Sequence, residues 1–200
     1  MFINQNIMKK LLKTAYETAG IKMQKTIEGI AVIDANMWKM EIPEEYMNNK
    51  TKAAIIELCG ELPQHQAKIY SKYATEETGE IIFENIAEQW SKSIEEYEET
   101  HLQVDTSDGT LRVLQCHDGS KLFIASSIAA MIDNAKVEVK SEETLTGDGR
   151  RVENYVIWCN NTMALKARVR GPLWSGEHRM LQKIGTTDLK WEFETGEADE

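Results

Sequence analysis

Nine glutamates and a single lysine lie between Thr75 and Thr100, and no other part of the 200-residue chain restricts its fold and its partners so strongly. Glu76, Glu77, Glu80, Glu84, Glu88, Glu95, Glu96, Glu98 and Glu99 face only Lys92, so this block supplies −8 of the formal net charge of −10. The acidity is local. Within the block Ile82, Ile86, Trp90, Ile94 and Tyr97 recur every three or four residues, while Glu80, Glu84, Glu88, Ser91, Glu95 and Glu99 form a second row. That period predicts one amphipathic helix, apolar stripe inward, with carboxylates about 6 Å apart along its outer side.

A carboxylate row at that spacing can imitate a line of phosphates. Glu80, Glu84, Glu88, Glu95 and Glu99 are therefore the candidate partner-binding residues, and the partner they suit is a host protein with a basic groove. A charged row is also what a solvated helix face requires, and both readings stand at this level. Like charges four apart cost about 0.2–0.5 kcal/mol per pair in an isolated helix, so compensation from elsewhere is expected. The natural source is a basic strand, on which Lys166, Arg168 and Arg170 alternate with Leu165, Ala167 and Val169. With Trp174, His178 and Arg179 close behind, the same strand is an alternative anion or nucleotide site: guanidinium forks hold phosphates and the indole stacks a base. Duplex nucleic acid is disfavoured by the net charge.

The length and a 42% apolar composition suit one compact domain or two lobes on a shared core. Residues 1–62 are neutral, with eight lysines against eight acids, and a second acidic patch (Glu192, Glu194, Glu197, Asp199, Glu200) closes the chain. Cys59, Cys116 and Cys159 form no CxxC pair and read as reduced thiols of a cytosolic protein. Lys9, Lys10 and Lys13 interrupt any signal-peptide core, and no run approaches the roughly 20 apolar residues of a membrane helix.

The pattern predicts an α+β fold of mostly antiparallel strands with helices packed on one face. Its organisation is an α-β-β-β-α module over 1–62, a connecting segment with the acidic helix over 63–100, and a β-rich part over 101–200 that can be continuous with the first. In the module, a helix over 4–18 stops at Gly20, strands cover 21–26, 30–34 and 37–42, and a second helix runs over 51–59 to Gly60. Beyond a weakly patterned strand over 67–72, period-two segments at 110–116, 121–125, 137–140, 152–158 and 163–170 predict strands. Ser126 or Ser127 is expected to cap a short helix reaching Ile132, Ser175 to cap another through Ile184, and 189–193 to add an edge strand.

Catalytic signatures are sparse. His117-Asp118 has no second histidine at helical spacing, Cys116 and His117 point to opposite faces of a strand, and Ser175/His178 lack a nucleophile elbow. Thr146-Gly147-Asp148-Gly149-Arg150 lacks the Lys-Ser/Thr of a phosphate loop. No metal-ligand set and no cofactor is expected. A metal-dependent hydrolase would have to assemble distant residues, Asp105, Asp108, His117 and Asp118.

The helix–meander–helix order of residues 4–59 resembles double-stranded-RNA-binding domains, with Lys50 and Lys52 where that family opens its second helix, but the dense basic cluster and loop histidine are absent. A plain α+β module is the default. The run from Leu111 to Ile132, with KLFIASSIAAMID, the later YVIWCNNTMALKARVR and the opening NIMKKLLKTAYETAGIKM resemble small uncharacterised proteins of bacteriophages and prophages of Gram-positive gut bacteria. The resemblance carries no catalytic residues. It implies a non-catalytic binding protein of a mobile element that inhibits a host nucleic-acid-handling or defence complex, such as a CRISPR-type nuclease, or that sequesters a nucleotide or cyclic dinucleotide. Oligomeric state is not legible.

Overall fold

Local signals set the first elements. Asn4 caps α1 (Gln5–Glu17): its Oδ1 accepts hydrogen bonds from the Asn6 and Ile7 amides at 3.1 and 3.3 Å. Gly20 then turns the chain at φ +86°, where a Cβ would come within 3.1 Å of the Ile69 side chain. A meander follows, β1 (Ile21–Lys25), β2 (Ile30–Asp34) and β3 (Trp38–Pro43), and α2 (Asn49–Cys59) is capped by Asn48 and closed by Gly60 at φ +80°. Short strands β4 (Lys68–Tyr70) and β5 (Thr75–Glu77) add to the outer side of β1.

The computed structural model describes residues 1–133, 137–145, 152–170 and 175–187. After α3 (Ile86–Lys92) come β6 (Glu96–Thr106), β7 (Gly109–Cys116), β8 (Lys121–Ala125), α4 (Ser126–Ala129), β9 (Glu138–Leu145), β10 (Val152–Asn160), β11 (Met163–Arg168) and α5 (Ser175–Gly185). The described strands form one eleven-stranded sheet in the order β5-β4-β1-β2-β3-β11-β10-β9-β6-β7-β8, and every neighbouring pair is antiparallel. The fold is α+β, as the pattern predicts. Stretches 1–62 and 101–200 share this sheet through β3 and β11. The order 1-2-3-11-10-9 is palindromic about that junction, and each meander is led in by a helix, α1 before β1 and α4 before β9.

One sheet face carries the main core. Met8 and Leu12 of α1, Ala54 and Ile55 of α2, and Ile128 and Ala129 of α4 pack there against Met23, Ile33, Met40, Leu165, Val156, Trp158, Tyr97 and Leu114. On the opposite face, Ile86 packs on Ile157 and Ala164, and Leu181 of α5 on Val104, Leu111, Val113 and Phe123. No helix among the described residues is long and apolar enough to cross a membrane.

Two expectations need correction. The helix predicted across the acidic block is reduced to seven residues, 86–92; Thr75–Glu77 is strand, 78–85 has no regular structure, and Glu96–Glu99 opens β6. The geometry of the sheet explains this. The chain must travel from β5 to β6 over eight inter-strand steps of about 4.8 Å, about 38 Å in all, whereas residues 78–95 as a helix would reach only about 27 Å. Gly79 and mutual repulsion among the carboxylates weaken the helical alternative further. Ile82, Ile86 and Tyr97 are buried as the stripe required, but Ile94 is 91% exposed. The second correction concerns α4. It begins at Ser126, its cap position is Ala125 with no side-chain hydrogen bond, and Ser126 Oγ is buried without a partner. The expected edge strand over 189–193 and the glycine-rich loop lie outside the described residues.

The altered path makes a stability prediction. Ile86→Ala should cost about 2–5 kcal/mol, the range for a fully buried aliphatic truncation, and Ile94→Ala should stay within about 0.5 kcal/mol of wild type in urea unfolding. A continuous helix with one buried stripe would make the two costs alike.

Candidate functional site

Strand alternation places Lys22 of β1, Lys39 of β3, Lys166 of β11 and Lys140 of β9 on the face away from the main core. The register lines them up: Lys22 opposite Asp34, Asp34 opposite Lys39, Lys39 opposite Lys166, Lys166 opposite Ile157 and Ile157 opposite Lys140. The acidic segment crosses this rung as a strap. Glu80 pairs with Lys22 at 2.6 Å, Glu84 with Lys39 and, at 3.1 Å, with Lys166, and Glu96 with Lys140 at 3.7 Å. Lys166 also donates to Gln89 Oε1 at 3.2 Å and stands 4.3 Å from the centre of the Tyr155 ring, while Lys140 lies 4.4 Å from that of Trp90.

A buried carboxylate fixes the strap's backbone. Glu41, 5% exposed, accepts from the Glu84 amide on Oε1 at 2.9 Å and from the Ile86 amide on Oε2 at 2.7 Å. Gln24 Oε1 accepts from the Ile82 amide at 3.1 Å. Asn85, in the left-handed region at φ 57°, then starts α3 by accepting from the Glu88 amide.

Electrostatics at the crossing follow from these contacts. Burial alone would lift the Glu84 carboxyl, but hydrogen bonds and charge from Lys39 and Lys166 outweigh it and hold Glu84 below the ordinary range. Burial works to lower Lys39, yet Glu84 and Asp34 together raise it. Glu41 goes the other way: burial pushes it up more than the two strap amides bring it down.

The five candidate glutamates thus do not share one helix face. Glu80 and Glu84 lie on the extended part of the strap, Glu88 on α3, Glu95 between α3 and β6, and Glu99 on β6. Each has a partner within the chain. Glu88 pairs with Lys92 at 2.6 Å, Glu95 accepts from Ser141 Oγ at 3.1 Å and Tyr97 Oη at 3.3 Å, and Glu99 pairs with Arg112 at 2.8 Å. The basic strand divides as well. Lys166 is buried under the strap, Arg168 is exposed, and Arg170 pairs with Asp108. Arg179 is exposed on α5; Trp174 lies outside the described residues, as does the side chain of His178.

The residues considered for hydrolysis are tied up locally: Asp105 accepts from Thr110, and Asp118 accepts from the Ser120 amide at 2.8 Å. Among the described residues no three His, Cys, Asp or Glu side chains are grouped to hold a metal ion. Burial pushes the Cys59 thiol up to about 12, with Glu61 adding to it, and burial followed by Glu41 raises Cys159, so neither is poised as a thiolate. A cleft of about 440 Å³ opens beside α3, lined by Glu41, Trp90, Cys159, Asn160 and Met163 with apolar neighbours.

Sequence reasoning missed Lys22, Lys39, Lys140, Gln24 and Glu41. A signal was present in the alternation of Lys22/Gln24 and Lys39/Glu41 through otherwise apolar strands. It marks polar groups on a sheet face that must be covered by something of opposite charge.

The depressed Glu84 carboxyl predicts a pH dependence. Its contribution is complete above the ordinary value near 4.5 and is lost as pH falls through its lower folded value; raised Glu41 opposes this, stabilising the fold as it takes up its proton. Glu84→Gln should therefore cost about 1–3 kcal/mol at pH 7 and flatten the acid limb of stability between about pH 5 and 3, measured by urea unfolding at each pH.

No protein-family model matches the chain, and no curated protein matches it significantly. Among solved structures, the beta subunit from DNA polymerase of Streptococcus pyogenes matches at 13% identity with a TM-score of 0.31, over 88% of this chain and 66% of that one, just under two thirds of its length. A likeness of that degree assigns neither family nor function.

Proposed function

We propose that this chain is a non-catalytic binding protein whose strap engages the basic, nucleic-acid-binding groove of another protein. The carrying observation is the surface left after internal pairing. Eight of the nine glutamates, all but Glu99, are exposed, whereas Lys39, Lys140 and Lys166 sit inward against the sheet. Among the described residues Glu80, Glu84, Glu88, Glu96 and Glu99 pair with Lys22, Lys39, Lys92, Lys140, Lys166 and Arg112, and the exposed carboxylates leave the outer side acidic. Ile81, 78% exposed, and Ile94 supply apolar contact within the same surface. Charge complementarity of this kind governs encounter rate and partner choice, and exposed isoleucines can add desolvated contact. A host nucleic-acid-handling or defence complex is the partner class named by this reading.

The test is affinity capture from host lysate with wild type and with E76K/E88K/E95K, which spares the lysine rung. Wild type should retain a basic nucleic-acid-binding protein that added DNA displaces, and charge reversal should lower capture at least tenfold at unchanged thermal stability. Equal capture by both proteins would overturn the proposal.

A further inference from the structure

Lys22, Lys39, Lys166 and Lys140 form a line one cation wide across six strands, five steps of about 4.8 Å, or about 24 Å from end to end. Tyr155 lies on the same face beneath Lys166. What covers this line is an acidic chain segment running along it, with Glu80 on Lys22, Glu84 on Lys39 and Lys166, and Trp90 against Lys140, where Glu96 at the start of β6 adds its charge. The cover is not a strand of the sheet. From Ile82 to Ile86 its backbone is attached to the sheet through two side chains, Gln24 and Glu41, and only Ile82 and Ile86 of residues 78–92 are buried. Segments held in this way, by few buried apolar groups and without ladder hydrogen bonds, open at lower free energy than the sheet beneath them.

We infer that the lysine rung is a surface for single-stranded nucleic acid, which the strap occupies in the closed form and Glu41 latches. A single line of cations tracks one phosphodiester backbone, and the half-buried Tyr155 ring beside Lys166 is a stacking platform for a base once the strap leaves. A duplex would need a broader basic surface. The strap's carboxylates stand where phosphates would sit, so ligand and strap exclude each other. The inference does not depend on the outer strap surface binding a protein, and its readout is separate.

The experiment compares wild type with Glu41→Gln, in which an amide NH2 faces a strap N–H and at least one latch hydrogen bond is lost. Hydrogen exchange at residues 78–92 reports the latch, and fluorescence anisotropy with labelled oligo-dT at low salt reports the surface. Faster exchange confined to the strap, at least tenfold tighter oligo-dT binding that weakens with salt, and reversal of the gain by K22A/K39A in the same background are expected. Should Glu41→Gln fail to fold, E80Q/E84Q loosens the strap with the latch intact. Unchanged strap exchange in the folded variants overturns the latch. Released strap without oligo-dT binding overturns the surface, and an equal gain for poly-glutamate overturns nucleic acid as its occupant.

Discussion

The Glu84 carboxylate bridges Lys39 and Lys166 at the seam where the two meanders meet, and the sheet's continuity leans on that contact. Lys39 and Lys166 are direct cross-strand partners. Two ammonium groups opposed on neighbouring strands repel each other, and both are largely withdrawn from water, so without an anion between them the β3–β11 pairing would carry an electrostatic penalty. Glu84 supplies the anion from a third part of the chain. One carboxylate therefore couples the N-terminal meander, the C-terminal meander and the segment that joins them.

The rest of the strap follows from the same requirement. A sheet face bearing Lys22, Lys39, Lys166 and Lys140, with Glu41 buried beside them, cannot be covered by an apolar helix without stranding its charges. It is covered instead by a segment rich in carboxylates that also offers backbone amides to Glu41 and Gln24. The apolar contribution is concentrated at Ile82 and Ile86, with Trp90 beneath Lys140. Main-core packing by α1, α2 and α4 is confined to the other face; the strap face adds charge pairing along the lysine rung to its two smaller apolar clusters.

Much of this architecture was legible in the residues. Gly20 and Gly60 mark helix ends because left-handed turns are local chemistry, and the sequence bounds β2 and β8 at their observed limits because alternation and tight turns fix them; the start of α2 at Asn49, capped by Asn48, lies two residues before the predicted Thr51. The acidic block was misread as a single helix because Ile82, Ile86, Trp90, Ile94 and Tyr97 fit a helical period. That period carries no information about where the segment must go. The distance from β5 to β6 and the lysines along the way are properties of the assembled sheet. Lys166 was recognised as a rival for the carboxylates, and it meets Glu84; Arg170 pairs with Asp108 instead.

The sequence by itself determined the class of fold, the individual strands and helices of the N-terminal module, and the existence of a local excess of negative charge, since each depends on residues adjacent in the chain. Only the tertiary structure decided what that charge does. Pairing Glu80 with Lys22, Glu84 with Lys39 and Lys166, and Glu96 with Lys140 requires residues 44–82 positions apart to be brought onto one rung. Coulombic pairing acts over a few ångströms of space whatever the distance along the chain, so a period in the sequence could show a carboxylate row but not the cations beneath it.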